Sequence, residues 1–173
     1  MWIALALAAC LAMFLLFVSR KPDSFRWERH TTILAPADKI FALVENFHSW
    51  REWSPWEGLD PSLTRAYSGP DHGRGAAYAW QGNKKVGKGR MEITESTAPG
   101  RVVIALDFLE PFEAHNVAEF TLTPEGAGTR VNWTMTGPTP FINKLMSTFM
   151  NFEAMVMKDF EKGLARLKTA AER

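Results

Sequence analysis

The feature that leaves this chain least freedom lies near its C-terminal end. Phe141, Leu145, Phe149, Phe152, Val156, Phe160, Leu164 and Leu167 recur at spacings of three and four. That spacing puts all of them on one face of an α-helix. Met146, Met150 and Met157 add a flanking stripe. The apolar face is then too wide for a helix that merely rests on a surface. The pattern predicts one long helix over residues 139–171, largely wrapped by another part of the chain. Lys162, Arg166 and Lys168 near its end suit the helix dipole.

Only a sheet is available to do the wrapping. Between residues 63 and 136, turn residues recur at short intervals, as in Gly69-Pro70-Asp71, Gly82-Asn83, Ala98-Pro99-Gly100, Glu110-Pro111 and Pro124-Glu125-Gly126. The alternating runs between them predict five strands, over 76–81, 86–94, 101–109, 115–123 and 129–136. Short turns make these an antiparallel meander. A further strand is expected over 25–34. Pro36 then opens a short helix with Ile40, Phe41, Val44 and Phe47 as its apolar stripe. Residues 48–61 read as a second short helix running into a loop, with Trp50, Trp53 and Trp56 among the breakers Pro55, Gly58 and Pro61.

The N-terminal end is a separate object. Residues 1–18 contain no polar or charged side chain. As a helix the run is about 27 Å long, enough to cross a bilayer core. Three readings compete. A cleaved signal peptide needs a basic start and a small-x-small cleavage site, and Phe17-Val18-Ser19-Arg20 offers neither. A lipoprotein reading rests on Leu7-Ala8-Ala9-Cys10, which comes too early in a run that continues past it. A retained transmembrane anchor over 1–19 fits best, followed by a linker at 20–24 and a domain over 25–171. Arg20, Lys21, Arg26 and Arg29 all follow the span, which orients the soluble domain toward the cytoplasm.

Composition excludes several classes. A net charge of +1 leaves no basic field to collect nucleic acid, so no nucleic-acid partner is expected. One cysteine, Cys10, makes neither a disulfide nor a zinc cage. It reads as an ordinary apolar residue of the span. Seven Trp and twelve Phe against two Tyr point to a large core, an apolar cavity, or both. His30, His48, His72 and His115 share no ligand spacing, and HExxH, CxxC and GxSxG are absent. No metal and no cofactor are expected. Gly82 to Lys88 has the spacing of a phosphate-binding loop, but Gly89 stands where Ser or Thr is required and no helix follows. It reads as a basic hairpin, either solvated or touching anionic headgroups. Asn132-Trp133-Thr134 is a formal glycosylation acceptor that falls mid-strand. An inward-pointing His115 beside Asp107, Glu113 or Glu119 would make proton abstraction conceivable, but His115 shares its strand face with Val117, Glu119 and Thr121, a solvent-directed set. Asn116, Ala118, Phe120 and Leu122 then face inward, with Asn116 a polar anchor.

Strand, two short helices, meander and long terminal helix is the order of the helix-grip fold. In its residues the chain resembles the polyketide cyclase/dehydrase branch of the SRPBCC superfamily, which also includes START and pollen-allergen-like domains. The resemblance is carried by Ala35-Pro36-Ala37-Asp38-Lys39-Ile40-Phe41, Trp50-Arg51-Glu52-Trp53-Ser54-Pro55-Trp56, Gly87-Lys88-Gly89, Gly128-Thr129-Arg130-Val131-Asn132-Trp133 and Asp159-Phe160-Glu161-Lys162-Gly163-Leu164. It implies an α+β fold in which a curved antiparallel sheet grips the C-terminal helix and leaves a cavity between them. Family layout and face alternation together nominate Tyr78, Trp80, Met91, Phe108, Asn116, Trp133, Met135, Phe149, Phe152 and Val156 as its lining, each equally readable as core. Trp50, Trp53 and Trp56 are nominated as its mouth, forming a lid or a lipid-facing rim, or as a loop-packing cluster. Such a cavity suits a hydrophobic small molecule or lipid. The leading expectation is therefore a membrane-anchored binding module. The alternatives are a cofactor-independent cyclase, dehydratase or hydrolase using the same cavity, and a regulatory interaction module whose pocket is filled. A buried acid–base pair would favour the enzyme, and an apolar lining the binder.

Overall fold

The computed structural model describes all 173 residues. In chain order the elements are α1 (Trp2–Ser19), β1 (Ser24–Ile33), α2 (Ala37–Val44), α3 (Trp50–Trp53), β2 (Thr64–Ser68), β3 (Ala77–Gln81), β4 (Lys88–Thr97), β5 (Arg101–Glu110), β6 (Ala114–Glu125), β7 (Gly128–Pro138), α4 (Phe141–Met146) and α5 (Phe152–Ala171). The seven strands form one antiparallel sheet in the order β1-β7-β6-β5-β4-β3-β2. A register shift between Ile93 and Glu95 bends β4. The domain is α+β with the helix-grip layout expected of it.

Alternation decides which side chains the sheet turns inward. Tyr78, Met91, Ile93, Val102, Ile104, Ala118, Phe120, Leu122, Val131, Trp133 and Met135 are all buried. Helix α5 lies against this face with Met157, Phe160, Leu164 and Leu167 buried. The Trp133 ring stacks on Phe160 with centroids 4.1 Å apart and planes 6° from parallel. Gly163 makes this contact possible. A Cβ there would lie 2.8 Å from Trp133 Cζ3 and 3.0 Å from Pro55 Cδ. A glycine inside a helix costs about 1 kcal/mol, and here it lets helix, ring and loop meet. At the far end of the sheet Lys168 Nζ donates to Thr32 O, so α5 ends beside the end of β1 and begins at the opposite end.

Register defines that opposite end as a rim. Ser24 pairs with Pro138, Gln81 with Lys88, and Lys88 with Glu110. The start of β2, the hairpin at 82–87, the turn at 111–113, α4 and the end of α1 therefore share it. Helix α1 is long and apolar enough to span a membrane, by length and composition. Most of it is exposed, Phe14 is half-buried, and Val18 is its one buried residue. Lys21 Nζ donates to Lys144 O (3.3 Å), Ser147 Oγ (3.1 Å) and Thr148 Oγ1 (2.8 Å). Buried Lys144 reaches back to the Asp23 carboxylate and to Ser19 O. These bonds hold the expected linker down on α4.

Two expectations are corrected. The C-terminal helix is not continuous: it breaks between Met146 and Phe152. Ser147 Oγ and Thr148 Oγ1 both donate to Lys144 O, at 2.8 and 3.1 Å, and offer the backbone an alternative to another helical turn. Asn151 then caps α5 by accepting from Ala154 N at 3.0 Å. The meander also has a sixth strand, β2, whose Thr-Arg-Ala-Tyr-Ser sequence carries only one large apolar side chain.

A candidate apolar ligand cavity

A cavity of about 90 Å³ lies between the sheet and α5, in the rim half of the domain. Of the 16 residues lining it, 14 are hydrophobic, so it offers a ligand burial rather than polar chemistry. Six of the nominated lining residues border it: Tyr78, Trp80, Met91, Phe108, Trp133 and Met135. Their strands explain why. Tyr78 pairs with Met91 and Trp80 with Gly89, so neighbouring strands project side chains into one space. A Cβ on Gly89 would lie 2.4 Å from the Trp80 ring, which needs that gap to lie flat over β4. Trp80 Nε1 donates to Val86 O at 3.3 Å and ties the ring to the hairpin.

Four nominated residues do not reach the cavity. Asn116 has the inward parity, but its amide lies over β7, where a Cβ on Gly137 would fall 2.1 Å from Oδ1. Phe149 lies on the helix break, is 77% exposed, and sets its ring 6.2 Å from that of Phe14 in α1. Phe152 and Val156 occupy the first turns of α5, half-buried and beyond the cavity. The tryptophan trio divides. Trp53 is fully buried core, and Trp50, although it borders the cavity, is buried too. Their Nε1 atoms donate to Leu43 O (3.0 Å) and Val44 O (2.9 Å), the last carbonyls of α2. That fastening makes them a fixed wall. Trp56 alone is partly exposed at the cavity.

The polar groups are few. Trp133 is 2% exposed, yet its Nε1 has no hydrogen-bond partner. Glu57 is the one charged lining residue. It is paired with Arg65, an inward-facing residue of β2: Arg65 Nε lies 3.3 Å from Glu57 Oε1, Nη2 bonds the other oxygen, and Nη1 donates to Leu63 O at 3.1 Å. The same pairing raises the Arg65 pKa further. Burial, then the Glu57 charge, pushes the Tyr78 phenol up to about 12. Tyr78 is therefore a neutral hydroxyl at ordinary pH, a donor and not a base. Asp60 accepts from Ser62 Oγ (2.7 Å), Ser62 N (2.9 Å) and Asn83 N (2.6 Å), which lowers its pKa and fastens the loop before β2 to the hairpin.

Sequence reading missed Glu57, Arg65 and Asp60. Arg65 could have been found from its parity with Tyr67; the loop residues gave no periodic signal. His115 is exposed on the outer face, with Nδ1 2.7 Å from Asp107 and Nε2 3.3 Å from Glu113. The Asp107 contact raises its pKa and lowers that of Asp107. This acid–base pair faces away from the cavity. Gly82 to Gly87 form a hairpin between strands, not a strand-to-helix phosphate loop.

Comparison with known proteins agrees with the geometry. No curated protein matches the sequence. Solved structures share the fold at low identity. The di-domain ARO/CYC BexL from the BE-7585A biosynthetic pathway is 15% identical, with 99% of this chain aligned to 60% of that one at a TM-score of 0.65. The Aha1 dimer from Colwellia psychrerythraea is 16% identical over 86% of this chain and 96% of that one, at 0.61. Protein CV1439 from Chromobacterium violaceum is 13% identical over 88% and 99%, also at 0.61. Residues 24–172 match the family described as polyketide cyclase/dehydrase and lipid transport, and the chain belongs to that family.

Proposed function

We propose that this chain is a membrane-anchored domain that binds a hydrophobic small molecule or lipid in the cavity between sheet and α5. The carrying observation is the lining: 14 of 16 residues are hydrophobic, and the one charge among them, Glu57, is already neutralised by Arg65. The family description, which joins cyclase/dehydrase and lipid transport, is compatible with this reading and with catalysis. The absence of an acid–base pair inside the cavity favours binding. An acceptor oxygen on the ligand would satisfy the orphaned Trp133 N–H. At about 90 Å³ the cavity is smaller than the roughly 300–1,000 Å³ of most ligand pockets. Loading thus requires outward movement of the wall where it is partly exposed, as at Trp56 and at Val86 in the hairpin.

Ala118 tests the reading, since it borders the cavity and is buried. Ala118→Leu places extra side-chain volume in the void. A polyene fatty acid whose fluorescence rises on burial is expected to bind the full chain, and to bind Ala118→Leu at least about tenfold more weakly, with melting temperature retained or raised. Destabilisation by about 1–3 kcal/mol, the overpacking cost of a closed core, would instead mark the pocket as filled by its own side chains.

The same proposal places residues 1–19 in the bilayer and the domain on the cytoplasmic side, from Arg20, Lys21, Arg26 and Arg29. A reporter active only in the cytoplasm, fused after Arg173, is expected to be active. Activity solely of the converse reporter, functional only outside, overturns the orientation.

A further inference from the structure

Beyond residue 19, ten large apolar side chains are exposed, and all but Leu34 and Val117 lie at the rim end of the domain. The foremost are Phe149 and Met150 on the helix break, Phe141 and Ile142 on α4, and Phe112 in the turn between β5 and β6. At the far end Leu34 is the one exposed large apolar side chain. A water-facing domain has no reason to segregate exposed rings to one end.

The position of α1 says what covers them. Lys21 and Lys144 bond across the junction, and the Phe14 and Phe149 rings lie 6.2 Å apart, so the end of α1 runs alongside the helix break. Phe14 lies five residues before Ser19, which is about 7 Å back along the helix at 1.5 Å per residue. A span needs about 20 residues, and α1 has 18. It has none to spare, so Phe14 lies inside the apolar layer and Phe149 lies beside it. Charge at the rim is mixed, with Lys84 and Lys85 in the hairpin and Glu110 and Glu113 about the turn after β5. The apolar side chains, not a field, make the contact.

We propose that the rim end is a membrane seat, in which Phe149 and Met150, with Phe141, Ile142 and Phe112 around them, enter the acyl boundary of the leaflet that α1 crosses. The proposal rests on reading α1 as a span. The cavity lies in the rim half, so seating brings its hairpin wall, at Val86, down to the lipid. The contact is of the interfacial kind and holds at high salt.

The test uses the full chain in vesicles of phosphatidylcholine and phosphatidylglycerol. An environment-sensitive fluorophore is placed on native Cys10, mid-span, and in a Cys10→Ser background on Phe149→Cys, Phe112→Cys or Ala127→Cys, the last at the far end. All four positions are exposed, so the core is untouched. Quenching is read with lipids spin-labelled near the headgroup or near the acyl terminus. The expected result is deep quenching at position 10, shallow quenching at 149 and 112 in low and high salt, and none at 127. Quenching at 10 without quenching at 149 and 112 leaves the anchor standing and overturns the seat. No quenching at 10 overturns the anchor itself, and the seat with it.

Discussion

Trp133→Ala is expected to lower the unfolding free energy by about 3–5 kcal/mol, the usual cost of deleting a buried aromatic. Trp133 stacks on Phe160 at 4.1 Å and on Phe120 at 4.8 Å, and Trp53 and Trp56 meet it edge-on at 5.8 Å. Removing the ring thus unmakes the joint among sheet, α5 and the tryptophan loop. Trp133→Phe is expected to cost under about 2 kcal/mol. It keeps a stacked ring, and it removes an N–H whose unpaired burial costs about 1–3 kcal/mol. Chemical denaturation of the three proteins, followed by far-UV circular dichroism, measures both. Equal losses for Ala and Phe would show that a stacked phenyl ring restores nothing of what the indole contributes. A near-native Trp133→Ala would remove the ring from the core altogether.

Arg65→Met should have the next largest effect. Glu57 and Arg65 keep only 14% and 21% of their side-chain surface exposed. Without its partner, Glu57 becomes a lone carboxylate at an apolar cavity. Full burial would make that loss about 3–5 kcal/mol, and the remaining exposure brings it to about 2–3 kcal/mol. Adding Glu57→Gln removes the stranded charge, and the double variant is expected to recover at least about half of the loss. A double-mutant cycle by urea titration reads this coupling. Additive losses would mean that the pair is held by solvent rather than by each other. Binding of the polyene fatty acid is expected to weaken in Arg65→Met and return in the double variant, since the charge, not the Arg side chain, is what an apolar ligand avoids.

Most of the sheet was legible because alternation survives burial. Tyr78 and Trp80, Met91 and Ile93, and Trp133 and Met135 share faces by counting alone, and the cavity residues on strands follow. The helix was less so. Its stripe runs unbroken through Phe149, while the signals that end α4 and start α5 are hydrogen bonds of Ser147, Thr148 and Asn151 that leave the apolar spacing intact. The stripe therefore groups Phe149 with the cavity residues, whereas it faces outward. Trp50 and Trp53 resembled a lid by composition; the α2 carbonyls that pin them are a tertiary fact no spacing encodes. The Glu57 and Asp60 contacts lie in a loop without periodicity and span eight and 23 residues.

The short junction has a consequence if α1 spans a bilayer. Only Arg20, Lys21, Pro22 and Asp23 separate α1 from β1, about 14 Å of chain at full extension, and Lys21 and Lys144 hold part of it in place. With α1 in a bilayer, a domain so mounted is no shuttle between membranes. Its encounters take place by two-dimensional diffusion within one leaflet. Occupancy would then follow the surface density of ligand in that leaflet rather than its bulk concentration, and delivery would require an acceptor that comes to the same membrane.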